Sequence, residues 1–243
     1  MKDPITLILL LSLAFPGVSQ KKDTVLILPG SNALQSNRLH DYITSYDMVS
    51  YKDGEEKLVG SLEDHFSING KTKQALRVCK ITFGANNILD SGLCILQGLS
   101  PIYHRSIQTK KTLDLRFSKE KVSGKIIAKT DTDPKVETID LKTPSPLFDS
   151  YYEDIIAKTV NLEKGVFFRF PEYIYERGGT VWSLGEILKN DNASERLIRF
   201  YELNPKREVV RTTTYIVSES THEILRREYL IGSNKIVMKK RQS

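Results

Sequence analysis

The chain has 243 residues, of which 40% are hydrophobic and 27% carry a charge. This balance is typical of a globular protein and excludes a disordered or fibrous one. The formal net charge of +6 is a mild excess without a basic stripe interleaved with aromatic residues, so we expect no nucleic-acid partner.

The first residues form the clearest single signal in the sequence. Lys2 precedes a largely apolar run over residues 5–15, and small residues follow up to Ser19. This order is typical of a cleavable secretory signal, and the run is too short for a helix of about 20 residues that crosses a bilayer. We predict a signal peptide over residues 1–19 and one β-rich domain over residues 20–243, periplasmic or secreted and not membrane-spanning after signal removal. An uncleaved anchor or a buried N-terminal strand is the alternative.

After a leader of uncertain structure, apolar and polar residues alternate in short runs that turn residues separate, which predicts antiparallel strands in a barrel or sandwich. Asn69 and Gly70 form the best hairpin turn, because a type I′ turn needs positive φ at both central positions. We expect a break at Ser91 and Gly92 that leaves one strand bulged or split, and the end of another strand at Pro171. Residues 180–188 fit a strand or a helix. The predicted strands cover residues 25–28, 42–51, 57–68, 73–83, 88–97, 101–107, 112–117, 121–129, 135–141, 166–170, 196–203, 208–218, 222–231 and 235–240.

The strand at residues 57–68 holds the one carboxylate that we single out. If the alternation continues along this strand, Asp64 points the same way as Leu62 and Phe66. A carboxylate on the apolar side needs a partner or lies at the mouth of a cavity. A break in the alternation at a bulge or strand end is the alternative.

Cys79 and Cys94 are the only cysteines. In an exported protein an even number is compatible with one disulfide, which would close a loop of about 15 residues and stabilise the fold by roughly 3 kcal/mol. Both cysteines lie among apolar residues, so two buried free thiols are the alternative.

One stretch between the strands, residues 143–165, predicts a short helix. Two starts fit the sequence: Ser145 before Pro146 as an N-cap with proline in the first turn, or Ser150 with Glu153 as a capping box. Apolar residues then recur at helical spacing and form one stripe. A helix this short does not persist alone in water, so we expect it to pack on the sheet.

The same stretch resembles a family of exported bacterial proteins of unknown function. Its pattern is a β meander, a Pro-x-Pro approach to a helix, a Leu-x-x-Gly exit and further long hairpins. The residues that carry the likeness are Ile139, Asp140, Leu141, Pro144, Pro146, Phe148, Asp149, Leu162, Gly165, Pro171 and Tyr173. That family resembles in fold the periplasmic lipoprotein carriers, and this implies a mainly β protein. Its curved antiparallel sheet would form a half-open barrel, with one central helix packed on the concave side.

Motifs for catalysis or metal binding are missing from the sequence. The 4 histidines lie in separate segments without metal-ligand spacing. There is also no phosphate-binding loop, dinucleotide-binding glycine pattern or serine nucleophile elbow. We therefore predict a protein that is not an enzyme and has no metal or cofactor.

Aromatic and apolar residues concentrate on and after the predicted helix. We predict that a group of them lines a cleft between helix and sheet: Phe148, Tyr151, Tyr152, Ile155, Phe168, Phe170 and Tyr173. An aromatic-lined cleft is the usual form of an apolar ligand site, and the alternative is that these residues simply fill the core. The leading hypothesis is a protein that binds a lipid or acylated chain under the helix. The second is a structural or interaction module of the cell envelope, which holds a protein partner at its sheet edges or basic face.

Overall fold

The computed structural model describes residues 24–52, 54–129, 133–175, 178–204, 206 and 208–241. The predicted signal peptide lies outside these residues. Within them, no helix is long and apolar enough to cross a membrane.

Strands make up most of the described chain and form one 16-stranded sheet. In chain order they are β1 (Val25–Leu26), β2 (Tyr42–Lys52), β3 (Glu55–Asn69), β4 (Gln74–Phe83), β5 (Asn86–Ile95), β6 (Ser100–Gln108), β7 (Lys111–Phe117), β8 (Lys121–Ala128), β9 (Lys135–Lys142), β10 (Phe148–Asp149), β11 (Phe167–Ile174), β12 (Gly179–Leu188), β13 (Glu195–Leu203), β14 (Val209–Ser218), β15 (Ile224–Ile231) and β16 (Asn234–Lys240).

The strands run side by side in the order β1-β11-β12-β13-β14-β15-β16-β2-β3-β4-β5-β6-β7-β8-β9, and β10 also pairs with β11. Every long pairing is antiparallel, whereas β1 and β10 each run parallel to β11 over a short stretch. The sheet does not close on itself, since β9 lies at one end of this order and β1 at the other. The mainly β, half-open barrel with one short central helix is therefore confirmed.

The alternation of the sequence explains why these residues form a curved sheet with a buried inner face. Along β3, Leu62, Asp64 and Phe66 are buried, while the residues between them are partly or fully exposed. Successive side chains of a strand point to opposite faces, so alternate residues line the concave side. The prediction that Asp64 points inward with its apolar neighbours is confirmed.

The helix on the concave side is shorter than its predicted stretch. A single 3₁₀ turn, Ser150–Tyr152, leads into α1 (Glu153–Thr159), which has seven residues, all of them buried. The Asp149 side chain caps the 3₁₀ turn by accepting a hydrogen bond of 3.1 Å from the backbone N–H of Tyr151.

Both predicted helix starts are therefore wrong. Ser145 lies before the helical turns, and the capping box of Ser150 with Glu153 does not form. The Glu153 carboxylate binds Arg211 of β14 instead of its own backbone. A tertiary partner has replaced the local one.

The predicted hairpin turn at Asn69 and Gly70 is also wrong. The β3–β4 connection is a wider loop than a two-residue turn, because Asn69 pairs with Gln74. The Asn69 side chain accepts hydrogen bonds from the backbone N–H groups of Lys71 and Thr72, at 3.0 and 3.2 Å, so it organises a longer loop.

The two predicted interruptions have different outcomes. Strand β5 is not split at residues 91–92, but its pairing with β6 has a register shift directly after them, between Leu93 and Cys94. Strand β11 continues past Pro171. A proline is tolerated in a strand near the end of a sheet, because the N–H that it lacks is not needed there for a hydrogen bond to a neighbouring strand. Residues 180–188, left open between helix and strand, lie in β12.

Candidate functional site

The most unusual feature of the concave side is that its helix meets the sheet through charged side chains. Glu153, Asp154 and Lys158 of α1 are 7%, 3% and 5% exposed. Side chains with charges this deeply buried require ionic or hydrogen-bonding partners. Their partners come from strands that lie far apart in the sequence.

The first set of partners forms a buried ion cluster of Asp64, Arg77, Asp154, Lys158 and Arg227. Arg77 donates to Asp64 through Nε at 2.9 Å and through Nη2 at 2.8 Å, and to Asp154 through Nη1 at 2.6 Å. The Nη2 atom of Arg227 lies 3.0 Å from Oδ2 of Asp154 and 3.5 Å from Oδ2 of Asp64. The helix is therefore bound to β3, β4 and β15 at one point.

The electrostatics of this cluster favour the ionised form of Asp64. Burial disfavours the charged form of Asp64, but Arg77 and Arg227 outweigh burial and hold the pKa of Asp64 below its usual value. Burial lowers the pKa of Lys158 to about 8, against the opposing effect of Asp154. With both aspartates ionised and Lys158 protonated, the cluster carries one positive charge in excess.

A second group of buried ionisable residues lies beside the first residue of α1. Arg211 Nη2 is 2.5 Å from Oε1 of Glu153, and its Nε is 3.1 Å from Oε2 of Glu202. Glu172 accepts a hydrogen bond from the Ser183 hydroxyl. Burial and the nearby Glu153 raise the pKa of Glu172 well above its ordinary value, which favours the neutral form of this carboxyl.

A third ion pair lies just before the helix. Nδ1 of His104, on β6, is 2.9 Å from Oδ2 of Asp149, and its Nε2 is 3.9 Å from Oδ1 of Asp90. The imidazole stacks on Tyr151, with 4.7 Å between the ring centroids. Burial alone would lower the pKa of His104, but Asp149 and Asp90 outweigh it and raise that pKa to about 10. His104 is therefore a cation at neutral pH.

Two arginines bind the carboxyl end of the helix. Arg196 donates to the backbone carbonyls of Ala157, Lys158 and Val160, at 3.3, 3.2 and 2.6 Å. Arg38 donates to the Val160 carbonyl at 3.1 Å. These bonds satisfy carbonyls that lack partners within the helix and place positive charge at the negative end of its dipole.

The residues predicted to line a ligand cleft do come together, but in the core. Phe148, Tyr152, Ile155, Phe168 and Phe170 are wholly buried in one apolar cluster, and Tyr151 packs partly buried against it. Tyr173 lies in a second cluster between the inner face of β7–β9 and Leu147. The side chains of helix and sheet occupy the space between them, and ligand binding there stays a prediction.

Most of the charged partners were missed from the sequence, although a signal for one of them was present. Arg77 lies between Ala75 and Cys79 on β4, and all three are buried. The alternation test that singled out Asp64 therefore applies equally to Arg77. For Arg227 and Arg211 the sequence offered no pairing information, because their partners are on the helix and on distant strands.

Cys79 and Cys94 are free thiols, and both are buried. Cys94 pairs in register with Ala75, so Cys79 lies four positions further along β4, about 13 Å away at the usual rise per residue. Two cysteines at that separation cannot form a disulfide without moving the backbone. The alternative of two buried free thiols is the observed arrangement.

The outer face of the sheet carries apolar side chains in line with one another. Leu89, Ile107, Ile127 and Val136 lie on the same side of β5, β6, β8 and β9, linked through Thr112 by the strand register. Val136, on the edge strand, is 57% exposed. We call these four apolar residues the outer row; it ends at the free edge of β9.

Other potential sites are limited. Two open depressions, of about 780 and 580 Å³, lie on the outer side around the β3–β4 loop and beside Ile43. In the part of the chain that the structure describes, no three His, Cys, Asp or Glu side chains are arranged to hold a metal ion.

A comparison with known protein families places these features in context. Residues 45–239 match the family described as "Protein of unknown function (DUF3108)". The chain belongs to this family. The DUF3108 match includes α1 and every member of the buried ion cluster, and the expectation of a family without an assigned function is confirmed. No curated protein matches the chain significantly.

Proposed function

We propose that this protein is exported, is not an enzyme, and binds an apolar or amphiphilic chain, such as a lipid or acylated chain, on the concave side of its sheet. The ligand would occupy the space now held by residues 148–160, which we call the helical segment. The observation that carries the proposal is that α1, a helix of seven residues, is wholly buried on the concave side of a sheet whose long strands pair with one another and not with it.

The sheet is continuous without the helical segment. Besides the short contact of β10 with β11, only an isolated bridge of Val160 with Leu34 joins this segment to other extended chain among the described residues, and no pairing between the long strands passes through it. A helix of this length does not persist alone, so the segment would leave as flexible chain and not as a folded unit. Its departure would break its side-chain contacts, the β10–β11 contact and its backbone bonds to residues 34–35, while the pairings between the long strands stay intact.

The surface beneath the segment suits an apolar chain. Aromatic side chains from several strands converge there, among them Phe66, Phe168, Phe170, Phe200 and Tyr215. Binding sites for apolar ligands are concave and lined mainly by such residues, with a few polar groups that fix orientation. The charged residues of the buried ion cluster would supply those polar groups.

Native mass spectrometry of the gently purified mature chain tests this proposal. We expect a co-purified or added acyl chain to remain bound, and the outer-face variant Val136→Ser to bind equally well. Recovery of the chain alone, after incubation with amphiphiles as well, would contradict the proposal.

A second candidate function is an interaction module of the cell envelope, and the outer row favours it. Exposed apolar side chains in a continuous line mark surfaces that other proteins cover. Because this row reaches the edge strand β9, which pairs only with β8, the fitting partner is a protein that adds a strand to β9 and extends the apolar row.

A photo-crosslinking residue at position 138 of β9 tests the second candidate. We expect one discrete protein adduct, lost when Val136 is replaced by Lys, and no adduct from position 212 on β14. A chain without adducts that stays monomeric would argue against this candidate.

A further inference from the structure

We propose that the ligand of the concave face is an amphiphile with a single anionic head group, of the fatty-acid type. Its head group would take the place of Asp154 between Arg77 and Arg227. This inference rests on the proposed function, in which the helical segment gives way to a ligand.

The ion pairs between the helical segment and the sheet join acids of the segment to bases of the sheet. Each carboxylate of the helical segment meets a base from the sheet. The pairs are Asp149 with His104 (2.9 Å), Glu153 with Arg211 (2.5 Å) and Asp154 with Arg227 (3.0 Å). Lys158, the one base of the segment, lies over the Tyr42 ring at 3.5 Å from its centroid. The segment is thus an acidic, apolar occupant of a basic, apolar surface.

If the segment leaves, the bases of the sheet lose these acidic partners, and the charge that remains differs from site to site. His104 keeps Asp90 nearby, and Arg211 keeps Glu202 at 3.1 Å. These two sites therefore retain a sheet carboxylate for each base. At the carboxyl end of the segment, Arg196 and Arg38 are left with Glu219 as the acid that acts on both, and Arg38 is only partly buried.

The buried ion cluster differs from these sites, because its sheet part contains two arginines that are both deeply buried, at 3% and 4% exposed, and one acid. Asp64 neutralises only one of Arg77 and Arg227, so one positive charge remains in an enclosed apolar surface. A charge in such a place requires a compensating partner. A neutral chain would leave it unpaired, whereas one anionic head group would balance it.

The geometry around Asp154 also suits a carboxylate head group. Arg77 already holds Asp154 through both terminal nitrogens, one of them at 2.6 Å, and Arg227 approaches the same carboxylate at 3.0 Å. Guanidinium groups bind carboxylates in this forked arrangement, with both charge and direction matched. A fatty-acid carboxylate fits the position of the Asp154 carboxylate, and its tail would follow the apolar residues that α1 now covers.

The test compares three ligands of the same chain length, oleate, oleyl alcohol and oleylamine, by calorimetry on the full mature chain below their aggregation concentrations. We expect oleate to bind at least about tenfold more tightly than oleyl alcohol, and oleylamine to bind most weakly. In Arg227→Gln, which removes the excess charge, the preference for oleate over the alcohol should disappear. The matched control is Arg226→Gln on the same strand, whose side chain is 41% exposed; it should keep the preference.

The outcomes separate this inference from the proposed function. Asp154→Asn weakens the docking of the segment, so oleate and oleyl alcohol should both bind more tightly, and this variant serves if Arg227→Gln does not fold. Equal binding of oleate and oleyl alcohol to the wild-type chain would overturn the anionic head group and leave the proposed function standing. If neither the wild-type chain nor Asp154→Asn binds any of the three ligands, the proposed function fails as well.

Discussion

Replacing Asp154 by Asn should destabilise the protein strongly, because this carboxylate is the only acid that the helix contributes to the buried ion cluster. Its loss leaves Arg77 and Arg227 with Asp64 alone and raises the excess buried charge from one to two. Removing one partner of a buried ion pair costs about 3–5 kcal/mol. Domains have about 5–15 kcal/mol in total, and for a chain of this size the melting temperature should fall by about 10 °C.

Urea unfolding and calorimetry of the mature chain measure this loss. The matched control is Asp140→Asn on the edge strand β9, where the aspartate side chain is 65% exposed and lies 2.5 Å from Lys121. Exposed pairs contribute little, so we expect a change within about 0.5 kcal/mol.

A double-mutant cycle of Asp154→Asn with Arg227→Gln completes this test. The double variant should be less destabilised than the sum of the single variants, by about 1–3 kcal/mol, since each removes the partner of the other. A loss below about 1 kcal/mol in Asp154→Asn, or a coupling near zero, would refute the description of this cluster as the attachment point of the helix.

Three further predictions follow from the same interior. The pKa of His104 in the folded protein, about 10, lies above its ordinary value of about 6.5. Its ion pair therefore stabilises the fold fully below about pH 6.5, and this stabilisation is lost as pH rises through about 10. The difference in unfolding free energy between wild type and His104→Gln should shrink from pH 6 to pH 10.5, and a constant difference would disprove the charge assignment. Burial raises the pKa of Cys79 and Cys94 to about 12. At pH 8 a thiol reagent should therefore label neither cysteine in the native protein, and both cysteines in urea without reductant. Rapid labelling of the native protein would contradict their burial. A Cβ on Gly92 would lie 2.7 Å from the nearest side-chain atom of the helical segment, whereas a Cβ on Gly70 would meet open space. Gly92→Ala should therefore lower the free energy of chemical unfolding by about 1–3 kcal/mol, and Gly70→Ala should leave it almost unchanged. Equal effects would mean that the segment does not contact β5 this closely.

The sequence was sufficient for the sheet because its main signal is local. A strand that buries one face must alternate apolar and polar residues, and this alternation is visible within each strand. The same signal placed Asp64 on the inner face correctly. The same alternation also predicts that Arg77 lies on the inner face of β4.

Features that depend on distant partners could not be predicted in the same way. The helix start shifted because Glu153 binds Arg211, which is separated from it by 58 residues in the chain. Pro171 is tolerated because β11 lies near an end of the sheet. The pairing of Arg227 with Asp64 spans 163 residues and joins β15 to β3, which are separated by β16 and β2 in the sheet. Local pattern contains none of this information.

The most direct test of the central claim is hydrogen exchange of the amides in α1, with and without saturating oleate. If the helical segment is a replaceable insert, its amides should exchange through an opening that costs less free energy than global unfolding. Oleate should then make Ile155 and Ile156 exchange faster while the amides of β3 and β4 keep their protection. Unchanged protection of α1 in the presence of bound oleate would contradict the claim.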